Sequence, residues 1–425
     1  MNFIKNIWSD IKEQPMLSGV SIIGTALAIF LIMVVVMLQE VKVAPFAPES
    51  NRERLLYADY ASIYNLKDGP DWNSNGGMSV ELAERLYKDL TTAEAVSIYV
   101  NDTQSSSASL PGQPSVTVDT RLCDADFFKV FDYTFISGAP FSGSDSESGI
   151  KKAVITDGLA RKIFGRTDVV GEELMLFRVP YVVCGVVKNV STVATKAYAD
   201  AWIPYSTSWM ASSKWNEHMG MMSAVILAKD GVEHSEVKEE CNKFFNKTND
   251  EIEAGGWRLI QRDRPYDQET QVCGSSSNRT PDLNSERKER IILLSILLIV
   301  PAINLSCMTH SRLSQRRSEV GVKRAFGATR GMILNEVLAE NMVVTLVAGV
   351  IGFMLSIGFA YMFSSELFTR SFVTLSNEPT IELSMLVHAS TFLWVLIFCF
   401  LLNVLSAGLP AWQASRVNVV NAIKG

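Results

Sequence analysis

A membrane α-helical fold, with four transmembrane helices and a large α+β extracytoplasmic domain inserted between the first two, is the class this sequence predicts. Three observations predict it. Four apolar runs are long enough to cross a bilayer: Met16–Leu38, Ile291–Met308 and Asn341–Phe363 hold no charged residue, and Leu383–Leu409 holds one histidine. A hydrocarbon core of about 30 Å needs about 20 such residues per helix. Between the first two runs, Val41–Glu289 carries 27 Lys and Arg against 36 Asp and Glu, a net of −9. Between the second and third, Thr309–Glu336 carries six basic and two acidic residues, a net of +4. The whole-chain values of 48% hydrophobic and net charge −6 describe neither part, and a purely soluble enzyme is excluded.

Residues 1–15 open the chain with Phe3, Ile4, Ile7, Trp8 and Ile11 at three- and four-residue spacing, and Lys5, Asp10, Lys12 and Glu13 between them. That period predicts an amphipathic helix ending near Pro15. Joined to a span, such a helix lies in the headgroup plane against membrane lipids. The first span, 16–40, is longer than a signal sequence's apolar core and runs into Gln39, Glu40 and Lys42, so it reads as an uncleaved anchor.

The acidic section, 41–289, mixes strand and helix signals. SVELAERLYKDL at Ser79–Leu90, GLARKIF at Gly158–Phe164 and the polar stretch Ser235–Phe245 read as helices. AVSIYV at Ala95–Val100, AVIT at Ala153–Thr156, YVVCGVVK at Tyr181–Lys188 and AVIL at Ala224–Leu227 read as strands. The Ser- and Gly-rich stretches Asp102–Gly112 and Ser142–Gly149 read as loops. Two lobes are expected, because this length is large for one core.

Residues 290–425 hold the remaining spans, at about 291–310, 338–363 and 384–409. Short basic loops stay in the cytoplasm, whereas long domains cross largely regardless of charge. The +4 loop therefore places both termini inside and the acidic domain outside. An inverted molecule would put that loop on the wrong side.

Of six cysteines, Cys307 and Cys399 fall in apolar runs as packing residues and Cys184 sits mid-strand. Cys123, Cys241 and Cys273 lie in the outer section, where disulfides can form. Cys241 and Cys273 flank a polar segment and are the candidate pair.

Catalytic chemistry is missing from these residues. No G-x-x-x-x-G-K-[ST], H-E-x-x-H or G-x-S-x-G occurs, and His218, His234, His310 and His388 are scattered. No catalytic residue, metal or bound cofactor is expected in this chain, nor a nucleic-acid partner. Ionisable groups within the spans, which would mark an ion pathway, are nearly missing. The energy for any work on a substrate is expected from a partner.

LSQRRSEVGVKRAFGATRGMILNEV, at Leu313–Val337, is the most informative segment. A helical pattern runs to Phe326, breaks at Gly327-Ala328-Thr329 and resumes toward the third span. On pattern alone it is either a connector whose charge fixes topology or a helix that docks into a cytoplasmic motor.

Ser318–Arg330, SEVGVKRAFGATR, closely resembles the E-I-G-x-x-[RK]-A-x-G-A motif of ABC-transporter permeases of the MacB/FtsX-like type. Asn304-Leu305, Ala348-Gly349, Gly352 and the terminal Pro410-Ala411, Ala414-Ser415-Arg416 and Ala422-Ile423-Lys424 are similar to that family too. So are Ala153-Val154-Ile155, Leu159-Ala160, Phe164-Gly165, Gly171, Val182–Val187 and Ala201–Tyr205 of the outer section, in the family's order. Trp412-Gln413 and Val419 depart from the pattern, which leaves contacts of that tail open.

The resemblance implies a non-catalytic permease subunit that transmits motion from a separate cytoplasmic ATPase, which binds the ATP and Mg, to the outer domain. Two permeases, identical or paralogous, would pair around two ATPase subunits, with a periplasmic adaptor and an outer-membrane component as further partners. The coupling helix would be Glu319, Val320, Gly321, Val322, Lys323, Arg324, Ala325, Phe326, Gly327 and Ala328. Lys323 and Arg324 would supply charge, Val320, Val322 and Phe326 apolar contact, and Gly327 the turn. The cargo would be a drug, peptide or lipoprotein. The alternative is a transmembrane signal transmitter that regulates a cell-wall hydrolase or sensor kinase without moving cargo.

Overall fold

The computed structural model describes residues 15–274, 276–315, 317–368, 383–386 and 389–415. The amphipathic segment with Phe3, Ile4, Ile7, Trp8 and Ile11, and also His388, lie outside the described residues. The chain divides into two compact units, one built on Lys42–Leu283 and the other on the helices before and after it.

Among the described residues the first unit has fourteen strands: β1 (Leu55–Ala58), β2 (Ala61–Asn65), β3 (Asn73–Gly76), β4 (Ala93–Val100), β5 (Gln104–Ser109), β6 (Val116–Cys123), β7 (Phe135–Gly138), β8 (Lys152–Thr156), β9 (Glu173–Leu176), β10 (Val179–Val187), β11 (Ala201–Pro204), β12 (Met222–Ala228), β13 (Trp257–Leu259) and β14 (Tyr266–Asp267). The larger sheet runs β11-β8-β10-β9-β5-β6-β4-β12-β1-β14, with β7 added beside β10. A further pairing of β11 with β6 closes the first six strands of that path into a ring. The ring needs no free edge, which is how a sheet protects its unpaired backbone groups. The remainder, β4-β12-β1-β14, is an antiparallel sheet in which Leu55 faces Leu227 and Tyr99 faces Ser223. A separate three-stranded sheet has the order β13-β2-β3.

Eight helices matter to the account: α1 (Pro15–Val43), α2 (Val80–Tyr87), α3 (Asp157–Phe164), α4 (His234–Glu253), α5 (Leu283–Gln315), α6 (Arg317–Ala325), α7 (Arg330–Met362) and α8 (Ala389–Ser415). Ser79 caps α2, its side chain accepting from Leu82 N–H at 3.2 Å. Leu82, Ala83, Leu86 and Tyr87 of α2 join Leu56, Val96, Ile98, Ala224 and Ile226 of the sheet in one apolar core, with Val237, Cys241 and Ile252 of α4. Each large aliphatic side chain removed from water there contributes roughly 1.5–3 kcal/mol. The parallel pair β8 and β10 is bridged by α3, which Thr156 caps and Gly165 ends in the left-handed conformation at φ 71°. Glycine alone takes that φ without a Cβ clash.

Three expectations fail in this unit. Asp102–Gly112 holds strand β5, and Ser142–Gly149 holds a short helix closed by a Ser142–Asp145 capping box. β5 pairs with both β6 and β9, so ring closure selects an extended chain that its serines do not announce. The disulfide also fails: Cys241 and Cys273 are both unbridged thiols. Cys241 is packed in the core, where burial pushes its pKa up to about 12, and Cys273 Sγ donates to Glu269 O at 3.1 Å.

In the second unit, the first two apolar runs lie within α1 and α5, the third fills α7 up to Met362, and α8 takes up the fourth from Ala389 onward, after a separate short helix at Leu383–Leu386. Side chains from all four form one cluster, among them Ile29 and Met33, Leu298 and Ala302, Phe353, and Phe398 and Leu402. Two of the helices, over Gly19–Val43 and Arg330–Met362, are long and apolar enough to cross a membrane, and Leu393–Gly408 is a shorter apolar stretch.

Candidate functional site

The segment between α5 and α7 is built to end one helix and start another within a few residues. α6 stops because Gly327 adopts φ 95°. Its N–H donates to Arg324 O at 3.1 Å, and Ala328 N–H donates to Lys323 O at 3.1 Å. That bond pair is the Schellman arrangement, which satisfies carbonyls a helix end would otherwise leave bare. Thr329 then caps α7, its hydroxyl accepting from Met332 N–H at 3.3 Å.

Lys323 fixes the two helices to each other. Its ammonium lies 3.0 Å from Glu319 Oε1, one turn back on α6, and 2.9 Å from Glu336 Oε1, on α7. Burial works against the Lys323 charge, but the hydrogen bonds to Glu336 and Glu319 outweigh it and hold its pKa above the usual lysine range. Exposure sorts the other residues of the motif. Val320 is 9% exposed and Gly321 is buried. Val322 is 46% exposed and Phe326 89%. Ala325 and Gly327 are exposed, while Glu319, Arg324 and Ala328 are partly buried. α6 contacts α8 of its own unit.

The apolar trio of the sequence reading is therefore divided: Val320 serves the chain's own packing, and Val322 and Phe326 stand in solvent. Lys323 spends its charge inside the chain. Glu336, its partner on α7, carries no signal in the sequence, because the contact is thirteen residues away and exists only after the Gly327 turn. The arrangement can present an aromatic side chain on a short, doubly anchored helix. Anchoring lowers the ordering cost of binding, and aromatic residues are over-represented among those that dominate interfaces.

No group of three or more His, Cys, Asp or Glu that could hold a metal occurs among the described residues. A hollow of about 490 Å³ in the first unit is lined by Thr91, Thr92, Glu240, Lys243 and Phe244, among others. Glu240 accepts hydrogen bonds there from the backbone N–H and hydroxyl groups of both Thr91 and Thr92, at 2.6–2.9 Å. Burial pushes the Glu240 carboxyl up, but these four donors outweigh it and bring its pKa down to about 2. The carboxylate is a structural tie between α4 and the turn before β4.

Comparison with known proteins matches residues 18–244 to the MacB-like periplasmic core domain and residues 291–419 to the FtsX-like permease C-terminal domain. The macrolide export ATP-binding/permease protein MacB of Chromobacterium violaceum is 27% identical over 299 residues, covering 70% of this chain and 42% of that protein. The chain thus spans less than half the length of that relative. The uncharacterized ABC transporter permease YknZ of Bacillus subtilis is 21% identical over 361 residues, covering 83% of this chain and 81% of that one. The crystal structure of the periplasmic region of MacB from Actinobacillus actinomycetemcomitans superposes with a TM-score of 0.33 at 14% identity, covering 48% of this chain and 88% of that one.

Proposed function

Since the chain belongs to the family of permeases with a MacB-like periplasmic core domain, we propose that it is the non-catalytic permease subunit of an ABC transporter of the mechanotransmission type. A separate cytoplasmic ATPase binds ATP and Mg and docks on α6. Helices α1, α5, α7 and α8 are four spans of the bacterial inner membrane, with both termini inside and Lys42–Leu283 in the periplasm. Two permease copies, or this chain and a paralogue, flank the motor. Closure of the ATPases shifts the helices and moves the outer domain, which works with a periplasmic adaptor and outer-membrane component to export a drug, peptide or lipoprotein.

The observation that supports this reading best is Phe326, 89% exposed on a helix held by the Lys323–Glu336 bridge and capped at Gly327. A soluble-facing phenylalanine with no packing role of its own is a ready anchor for a partner groove. The test is to purify the tagged full chain from its native membranes and measure ATP hydrolysis in the eluate. Phe326→Ala, which removes nothing from the fold, is expected to lower the co-purifying ATPase activity at least tenfold. Undiminished activity in that variant would remove α6 as the docking element. Lys323→Glu is the less direct probe, since it also breaks the chain's own bridge.

A further inference from the structure

The geometry points to an oxyanion-binding site in the outer domain, built on Arg262 and Arg264 beside the edge strand β3, and this inference stands apart from the transport reading. Arg262 and Asp263 follow β13 with φ values of 54° and 58°. They are the central pair of a tight turn closed by Arg264 N–H donating to Gln261 O at 3.3 Å. The result is that two guanidiniums meet at one hydroxyl. Arg262 Nε donates to Ser62 Oγ at 2.8 Å, and Arg264 Nη1 donates to the same oxygen at 3.2 Å.

Every other partner of the pair is neutral. Arg262 Nη2 reaches Asn73 Oδ1 at 3.3 Å and Asn75 Oδ1 at 3.4 Å, and Arg264 Nη2 reaches Ser277 O at 2.6 Å. Asp263, the acid between them in sequence, faces Lys238 Nζ at 3.2 Å instead. Among the described residues, neither guanidinium forms an ion pair with a carboxylate. Arg264 is only 5% exposed, and burial pushes its pKa down. Two positive charges sharing one oxygen, one of them buried, repel each other in a weakly screened setting and require a counter-charge. Arg262 is partly exposed and, among the described residues, its Nη1 donors meet no acceptor, so an anion can reach the pair from solvent. The planar donor fork of arginine suits carboxylate and phosphate oxygens.

The probes are inorganic phosphate and acetate, each replacing chloride at constant ionic strength, with thermal unfolding of the full chain in detergent as the readout. The wild type is expected to show a saturable rise in unfolding temperature. Arg262→Gln is expected to weaken the apparent affinity at least tenfold, while Arg85→Gln, which removes an exposed guanidinium paired with Glu251 at 3.0 Å, leaves it unchanged. Asn75→Asp places a carboxylate beside Arg262 and is expected to raise the unfolding temperature without added anion and to abolish the response. A response to acetate alone assigns the site to carboxylates, and a response to phosphate alone to phosphate groups. No saturable response to either anion, or an equal response in Arg262→Gln, overturns the site.

Discussion

Glu49 shows how single residues tie distant parts of the outer domain together. Fully buried, it lies 2.7 Å from the buried Arg52 and accepts from the backbone N–H groups of Lys196 and Ala197 at 2.8 and 3.0 Å. Arg52 in turn donates to Ala44 O at 2.8 Å and covers the Phe46 ring. Removing one member of such a pair leaves the other charge buried without compensation, at a cost of about 3–5 kcal/mol. Glu49→Ala should therefore lower the chemical-denaturation stability of the full chain by that amount, whereas an exposed pair such as Arg85–Glu251 should cost under about 1 kcal/mol. Glu240 makes a pH prediction. Its folded pKa of about 2 lies below the unfolded glutamate value of about 4.3, so its stabilisation is complete above that pH and is lost as pH falls through 2. Glu240→Gln should destabilise the domain by roughly 1 kcal/mol at pH 7. The gap between mutant and wild-type unfolding temperatures should close on titration from pH 4 toward 2.

Close helix approach is the element-scale feature with the clearest consequence. A Cβ on Gly352 of α7 would lie 2.5 Å from Ala26 O of α1, and one on Gly349 would lie 2.5 Å from Cys399 Sγ of α8. Small residues at such crossings are what allow apolar helices to associate where burial from water cannot drive them. Gly352→Ala should cost about 1–3 kcal/mol through overpacking, read as earlier unfolding of the detergent-solubilised chain in a denaturant series. Gly358→Ala, on the same helix with open space around it, should be neutral or slightly stabilising. The sequence contained much of this level. The apolar runs became α1, α5, α7 and α8, and AVIT, GLARKIF and YVVCGVVK became β8, α3 and β10, since each carries a strong period or a capping residue. Polar or short strands were not legible: β5 is serine-rich, β3 reads Asn-Ser-Asn-Gly, and β14 is two residues long, so pairing partners rather than composition make them strands. The candidate site was legible as a stretch, since Glu319–Ala328 lies in α6 and its turn. Its division into buried Val320 and exposed Phe326, and the bridge from Lys323 to Glu336, depend on where Gly327 folds the chain back.

At the scale of the whole molecule, charge and apolarity are separated along the chain, with nearly all of the −9 section in one unit and the +4 segment around α6 in the other. In the proposed complex that separation assigns each part a side: the acidic unit meets the periplasm, and α6 meets the motor. In that proposal force passes through one contact, at α6, which combines a fixed backbone, a bridge to the next helix and an exposed aromatic side chain. A photoreactive benzoyl-phenylalanine placed at Phe326 of the full chain in native membranes tests that contact most directly, with the same group at buried Val320 as the internal comparison. The account predicts an ATP-binding subunit crosslinked from position 326 and not from 320. Crosslinks from 326 confined to the chain's own helices or to lipid would contradict it.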